Sequence, residues 1–108
     1  MENIQYIGVG KLSADELTVA KAVCSALYSK LERELKNISK LIVHIKPQSK
    51  GGHKKRYQVK ARIIAPTKIF EAESFEWDLS KALHVCLEDL KKEIQHKFHT
   101  DNQHDKPY

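Results

Sequence analysis

The sequence predicts an α+β domain, β-α-β-β-β-α in order, with a four-stranded sheet and both helices packed on one face. Three observations carry this. Residues 40–46 and 56–63 alternate apolar and polar, the period-two signature of strands with one buried and one wet face. Two longer stretches, from Leu17 to Leu35 and from Leu79 to Phe98, repeat apolar residues every three or four positions, the stripe of an amphipathic helix. The helical stretches flank a block of strands instead of alternating with them, which separates the layers.

Taken in order, residues 3–9 (NIQYIGV) read as a short strand with Ile4, Tyr6 and Val9 alternating, and Gly8 and Gly10 loosen the chain after it. Ser13 and Glu16 form a capping box, the serine accepting from the glutamate's amide while the carboxylate reaches back. A helix follows to about Lys36, with Leu17, Ala20, Cys24, Leu27, Leu31 and Leu35 as its buried stripe, and Asn37 stops it. In the second strand Leu41, Val43 and Ile45 point inward. In the third, Tyr57, Val59, Ala61 and Ile63 do, leaving Arg56, Gln58, Lys60 and Arg62 outside.

A tight connection at 65–68 leads to a fourth strand, 68–75. If Ile64 pairs with Ile69, then Arg62 lies opposite Glu71, Lys60 opposite Glu73, Ile63 opposite Phe70 and Ala61 opposite Ala72. Phe75 and Trp77 are expected to pack at the junction of this strand and the last helix. Asp78 caps that helix, which runs from Leu79 to about His99 with Leu83, Cys86, Leu87, Leu90, Ile94 and Phe98 inward. Residues 1–99 thus make a single domain, and the polar tail 100–108 is expected to be disordered.

Charge supplies the functional signal. The chain carries +5 overall, and residues 40–68 contain nine Lys and Arg and no Asp or Glu. Such an acid-free basic segment suits a polyanion partner, most often a nucleic acid. Glu71 and Glu73 are expected to cancel part of it across the sheet, so the free charge concentrates in the loop at Lys50, Lys54, Lys55 and Arg56.

Several classes are set aside. No apolar run approaches the roughly 20 residues a membrane span needs, and the N-terminus lacks a secretion signal, so a cytoplasmic location is expected. Cys24 and Cys86 fall on helix stripes as buried free thiols and cannot make a four-ligand zinc site. His96 and His99 stand three apart on a helix, but no partner ligand is placed with them, so no metal and no cofactor are expected. Lys50-Gly51-Gly52-His53 has neither the spacing nor the helix of a phosphate-binding loop. No small-molecule substrate is expected, and the domain reads as non-enzymatic.

The segment ARIIAPTKIFEAESFEWDLSKALHVCLEDLKKEIQHKF, residues 61–98, resembles the strand-turn-strand-helix unit of the ribosome hibernation factors of the HPF/YfiA (ribosome-associated inhibitor A) family, short form. The end of the first helix, SKLERELK at 29–36, is similar too, and the likeness spans roughly residues 4–98. The resemblance implies a non-enzymatic translation inhibitor that occupies the mRNA and tRNA channel of the small ribosomal subunit. It also implies a monomer off the ribosome, with Lys91, Lys92, His96 and Lys97 contacting ribosomal RNA. Asp89 stands where that family usually has a lysine, and the domain with which long members pair ribosomes is not in this sequence. The alternative is a double-stranded RNA-binding domain or another module for structured RNA. The first of these has a similar layer architecture, but usually carries a lysine cluster where Asp78-Leu79-Ser80-Lys81-Ala82 has one lysine.

Overall fold

Local signals set the element boundaries. A computed structural model gives the fold; the structure describes residues 3–35, 38, 40–49, 55–66 and 68–103, excluding the side chains of 49, 55 and 98–103. In chain order the elements are β1 (Ile4–Ile7), a 3-10 turn (Val9–Lys11), α1 (Ala14–Glu34), β2 (Lys40–Ser49), β3 (Lys55–Ile64), β4 (Ile69–Glu76) and α2 (Leu79–Gln103). The sheet order is β1-β2-β3-β4, with β1 parallel to β2 and the other pairs antiparallel.

Both helix starts fall where the sequence puts them. Ser13 caps α1 with both halves of the capping box formed, Ser13 N donating to Glu16 Oε1 at 2.8 Å and Glu16 N to Ser13 Oγ at 3.1 Å. Asp78 caps α2, accepting from Lys81 N at 2.9 Å. The β3–β4 register is the expected one throughout, from Ile64↔Ile69 to Lys60↔Glu73.

Several boundaries differ: α1 ends at Glu34, short of Lys36, and β4 is shifted by one residue to Ile69–Glu76. Val9 belongs to the turn and not to β1, because Gly8 adopts a left-handed φ of 79° and bends the chain there. A Cβ on Gly8 would stand 2.6 Å from the Ile45 carbonyl oxygen, so glycine is required on steric grounds as well. β2 continues through Pro47 to Ser49, because β1 has ended opposite His44 and β2 is locally an edge, where a missing N–H costs little. β3 correspondingly begins at Lys55. Finally, α2 runs to Gln103, four residues beyond the expected end, since no glycine or proline interrupts residues 100–103. Asn37 and residues 104–108 lie outside the described residues.

One apolar cluster joins the layers. Leu41, Val43, Ile45, Val59, Ala61, Ile63 and Phe70 cover one face of the sheet, and Cys24, Leu27, Leu31, Leu83, Leu87, Leu90 and Ile94 of the two helices lie on it. Tyr28, not anticipated in the α1 stripe, is also buried there, one turn from Cys24 and Leu31.

Polar contacts orient the helices. Glu16, already part of the α1 cap, accepts a short hydrogen bond from the Tyr57 hydroxyl of β3. At the other end of α1, Gln95 Nε2 of α2 donates to Glu34 Oε1 at 3.1 Å. Ser74 Oγ donates to the Ala82 carbonyl at 2.7 Å, joining β4 to the start of α2. Both helices therefore begin toward the β2–β3 hairpin and run toward the β3–β4 turn, which α2 passes at Lys97.

Burial pushes the Cys86 thiol up from 9.0 to about 12; the sulfur donates to the Val59 and Ala72 carbonyls at 3.6 and 3.4 Å. Burial, then the Glu16 hydrogen bond, raises the Tyr57 hydroxyl from 10.0 to about 12.

Two outcomes follow. Leu90→Ala, emptying a site with no solvent exposure, should cost about 2–5 kcal/mol in denaturant melts; a loss under about half a kcal/mol would mean α2 packs by another face. Stability should also fall in alkali. Between about pH 9 and 12 the folded state keeps the Cys86 and Tyr57 protons that the unfolded chain has released. Their contribution is complete below pH 9 and is lost as pH approaches 12, with a slope of up to about 1.4 kcal/mol per pH unit per proton. Urea melts of wild type and the Cys86→Ala/Tyr57→Phe variant should show a flatter alkaline slope in the variant.

Candidate nucleic-acid interface

The pleat that buries Val59, Ala61 and Ile63 turns Arg56, Gln58, Lys60 and Arg62 to the opposite, open face of the sheet. Their surroundings are graded along β3. Arg62 pairs with Glu71 at 3.3 Å and Lys60 with Glu73 at 3.5 Å, as the register requires. These exposed pairs are each worth a few tenths of a kcal/mol and cancel the charge of mid-sheet. Gln58 also spends its amide on Glu73, at 2.7 Å. A shallow trough of about 570 Å³ crosses this region, between Ile7, Ile42 and His44 on one side and Glu71 and Glu73 on the other.

Toward the hairpin the acids stop. The next row holds Lys46, Gln58 and Phe75, and the row after it Gln48 and Arg56. Arg56 lies over the Phe75 ring, 4.7 Å from its centroid, a cation–π contact. Phe75 is 41% exposed, and Trp77, two residues on, is 62% exposed. This corrects the expectation that both pack at the strand–helix junction. The inner face there is filled by Ser74, Leu79 and Ala82, and alternation sends Phe75 to the wet side.

The sequence-nominated cations separate into two groups. Arg56 is at the start of β3, and the Lys55 backbone pairs with Ser49 beside it; Lys50 and Lys54 lie outside the described residues. Lys91, Lys92, His96 and Lys97 lie late on α2, about 20 to 28 Å along the helix from Asp78 and so toward the opposite end of the sheet. They are also spread around the helix. Lys92 and His96, four apart and exposed, share one side. Lys91 is half-buried on the side of Gln95, which faces α1. Lys97 joins His96 and Glu93 in a shallow groove against Lys68, Ile69 and Phe70. Asp89 is half-buried on the same helix.

The arrangement offers charge for phosphates at both ends of the sheet and a neutralised middle. Among the described residues no group of three His, Cys, Asp or Glu is placed to hold a metal ion, and no helix is long and apolar enough to cross a membrane. The side chain of His99, and His104, lie outside the described residues. Cys24 and Cys86 are buried free thiols.

No protein-family model matches the sequence, and no curated protein does. The fold does recur among solved structures. It is similar to that of a ribosomal subunit interface protein from Coxiella burnetii, with a TM-score of 0.60 and 16% identity over 88% of this chain and 96% of that one. It is also similar to the N-terminal domain of Protein Y from Thermus thermophilus, with a TM-score of 0.55 and 14% identity over 89% of this chain and 98% of that one. The β-α-β-β-β-α order and four-stranded mixed sheet thus match an α+β fold shared with these two structures.

Proposed function

We propose that this chain is a cytoplasmic, non-enzymatic ribosome-binding factor, a monomer in the free state. It occupies the mRNA and tRNA channel of the small ribosomal subunit and keeps idle ribosomes from translating. The observation that carries the reading is the fold, shared over 96% of a structure named for the ribosomal subunit interface. Charge supports it: a +5 surplus, with exposed Lys92, His96 and Lys97 at one end of the sheet and Arg56 at the other. Such cations bind phosphate without reading bases, as suits a protein that recognises folded RNA by shape. Lys50, Lys54, Lys55 and Lys91 complete the proposed contacts.

A second reading, a module for another structured RNA, is favoured by one observation. Asp89 places an acid on α2 between the proposed contacts and the helix start.

The two separate in co-sedimentation with vacant small subunits at fixed salt. Replacing Lys91, Lys92 and Lys97 together by Ala should weaken binding at least about tenfold. Asp89→Lys should tighten it, and added mRNA with tRNA should displace the wild type. Equal binding by all three proteins, without displacement, contradicts the small-subunit reading and leaves the other RNA target.

A further inference from the structure

We infer that the open sheet face beside the hairpin is a stacking site for single-stranded RNA, built from Phe75, Trp77, Arg56 and Lys46. It is a second RNA surface, distinct from the α2 cations and independent of whether they meet the ribosome. Large aromatic rings are rarely left in water without use, yet Phe75 and Trp77 are 41% and 62% exposed at neighbouring positions. Trp77 lies just past the end of β4 at Glu76, so its Cα stands up to about 7 Å from that of Phe75. That spacing suits two splayed bases, one per ring, as unpaired RNA presents them.

The polar groups around the rings fit the same ligand. Arg56 is stacked on Phe75, which fixes its guanidinium beside the ring and leaves its edge for a phosphate. Lys46 projects from the row of Phe75, is exposed, and makes no ion pair among the described residues. Gln48 lies between these cations and offers its amide to a base edge; its Nε2 donates to Gln58 Oε1 at 3.4 Å, while Gln58 spends its own Nε2 on Glu73. Glu71 and Glu73, which would repel a phosphate chain, are engaged with Arg62 and Lys60 farther down the sheet. A protein partner would use the rings but has no need of the two cations flanking them, so the charge favours RNA.

A duplex cannot use this site, because its bases are already stacked and paired. The selectivity is therefore for single strands, with tolerance of sequence, since every base has a face to stack.

Trp77 is the chain's one tryptophan, so its emission reports the site directly. Titration of the full chain with a single-stranded oligoribonucleotide of mixed sequence should quench Trp77, and a duplex of the same length should not. Phe75→Ala, followed by the same quenching, should weaken binding about 5- to 150-fold, the range for removal of one stacked base. Trp77→Ala, followed by anisotropy of labelled RNA, should do the same; both residues are exposed, so the variants should melt with the wild type. The Lys91/Lys92/Lys97 triple Ala variant should keep the quenching, so that this site and the small-subunit reading fail separately. Absence of quenching by the single strand, or equal quenching by duplex, would overturn the stacking site. The first result would assign the exposed rings to a protein contact and the second to backbone charge alone.

Discussion

A slip of β3 by one residue against either neighbour would turn Val59, Ala61 and Ile63 to water and drive Lys60 and Arg62 into the core. The period of two leaves no intermediate solution. Register is therefore the constraint on which the rest depends. It aligns the inner rows, Leu41–Ile63–Phe70 and Ile45–Val59–Ser74, into the surface on which both helices lie. On the other side it sets Arg62 opposite Glu71 and Lys60 opposite Glu73. The core and the outer charge pattern are two faces of one alignment.

Helix placement adds the second layer of charge. Glu16, shared between the α1 cap and the Tyr57 hydroxyl, holds the start of α1 against the start of β3. α2 passes the β3–β4 turn at His96 and Lys97, beside the end of α1, and continues to Gln103. Lys91, Lys92 and Lys97 stand before the last turn of α2, where the field of the helix end has faded, so they are not explained as helix-end residues. Lys92 and Lys97 are exposed and offer themselves to phosphate, whereas Lys91 is half-buried. At the hairpin end Arg56 stacks on Phe75, and Lys46 is exposed and makes no ion pair among the described residues.

Much of this was legible in the sequence. The capping box, the β3–β4 register and most of both helical stripes rest on short-range patterns and are present, although Leu17 is only half-buried and the side chain of Phe98 lies outside the described residues. The continuation of β2 through Pro47 to Ser49 was not legible, because sequence does not show that β1 ends before reaching it. Tyr28 was missed because its hydroxyl hid an otherwise apolar position on the α1 stripe. The site was less legible than the fold. Spacing along the chain groups cations by number, whereas the three-dimensional arrangement puts Arg56 and Lys97 at opposite ends of the sheet. Phe75 and Trp77 read as core because aromatic residues near a helix start commonly are; only the filled inner face at Ser74 and Leu79 shows that no room remains.

The central claim is that cations at the ends of the sheet bind RNA while those in its middle are spent on Glu71 and Glu73. The most direct measurement is the dependence of small-subunit affinity on salt, as log Kd against log salt concentration. Neutralising Lys92 and Lys97 should lower the magnitude of the slope by about two, at roughly 0.9 for each phosphate no longer neutralised. Neutralising Lys60 and Arg62 should leave the slope within error of the wild type. An equal fall from the Lys60/Arg62 pair would contradict the account, since it would place the RNA on the part of the sheet described here as neutralised.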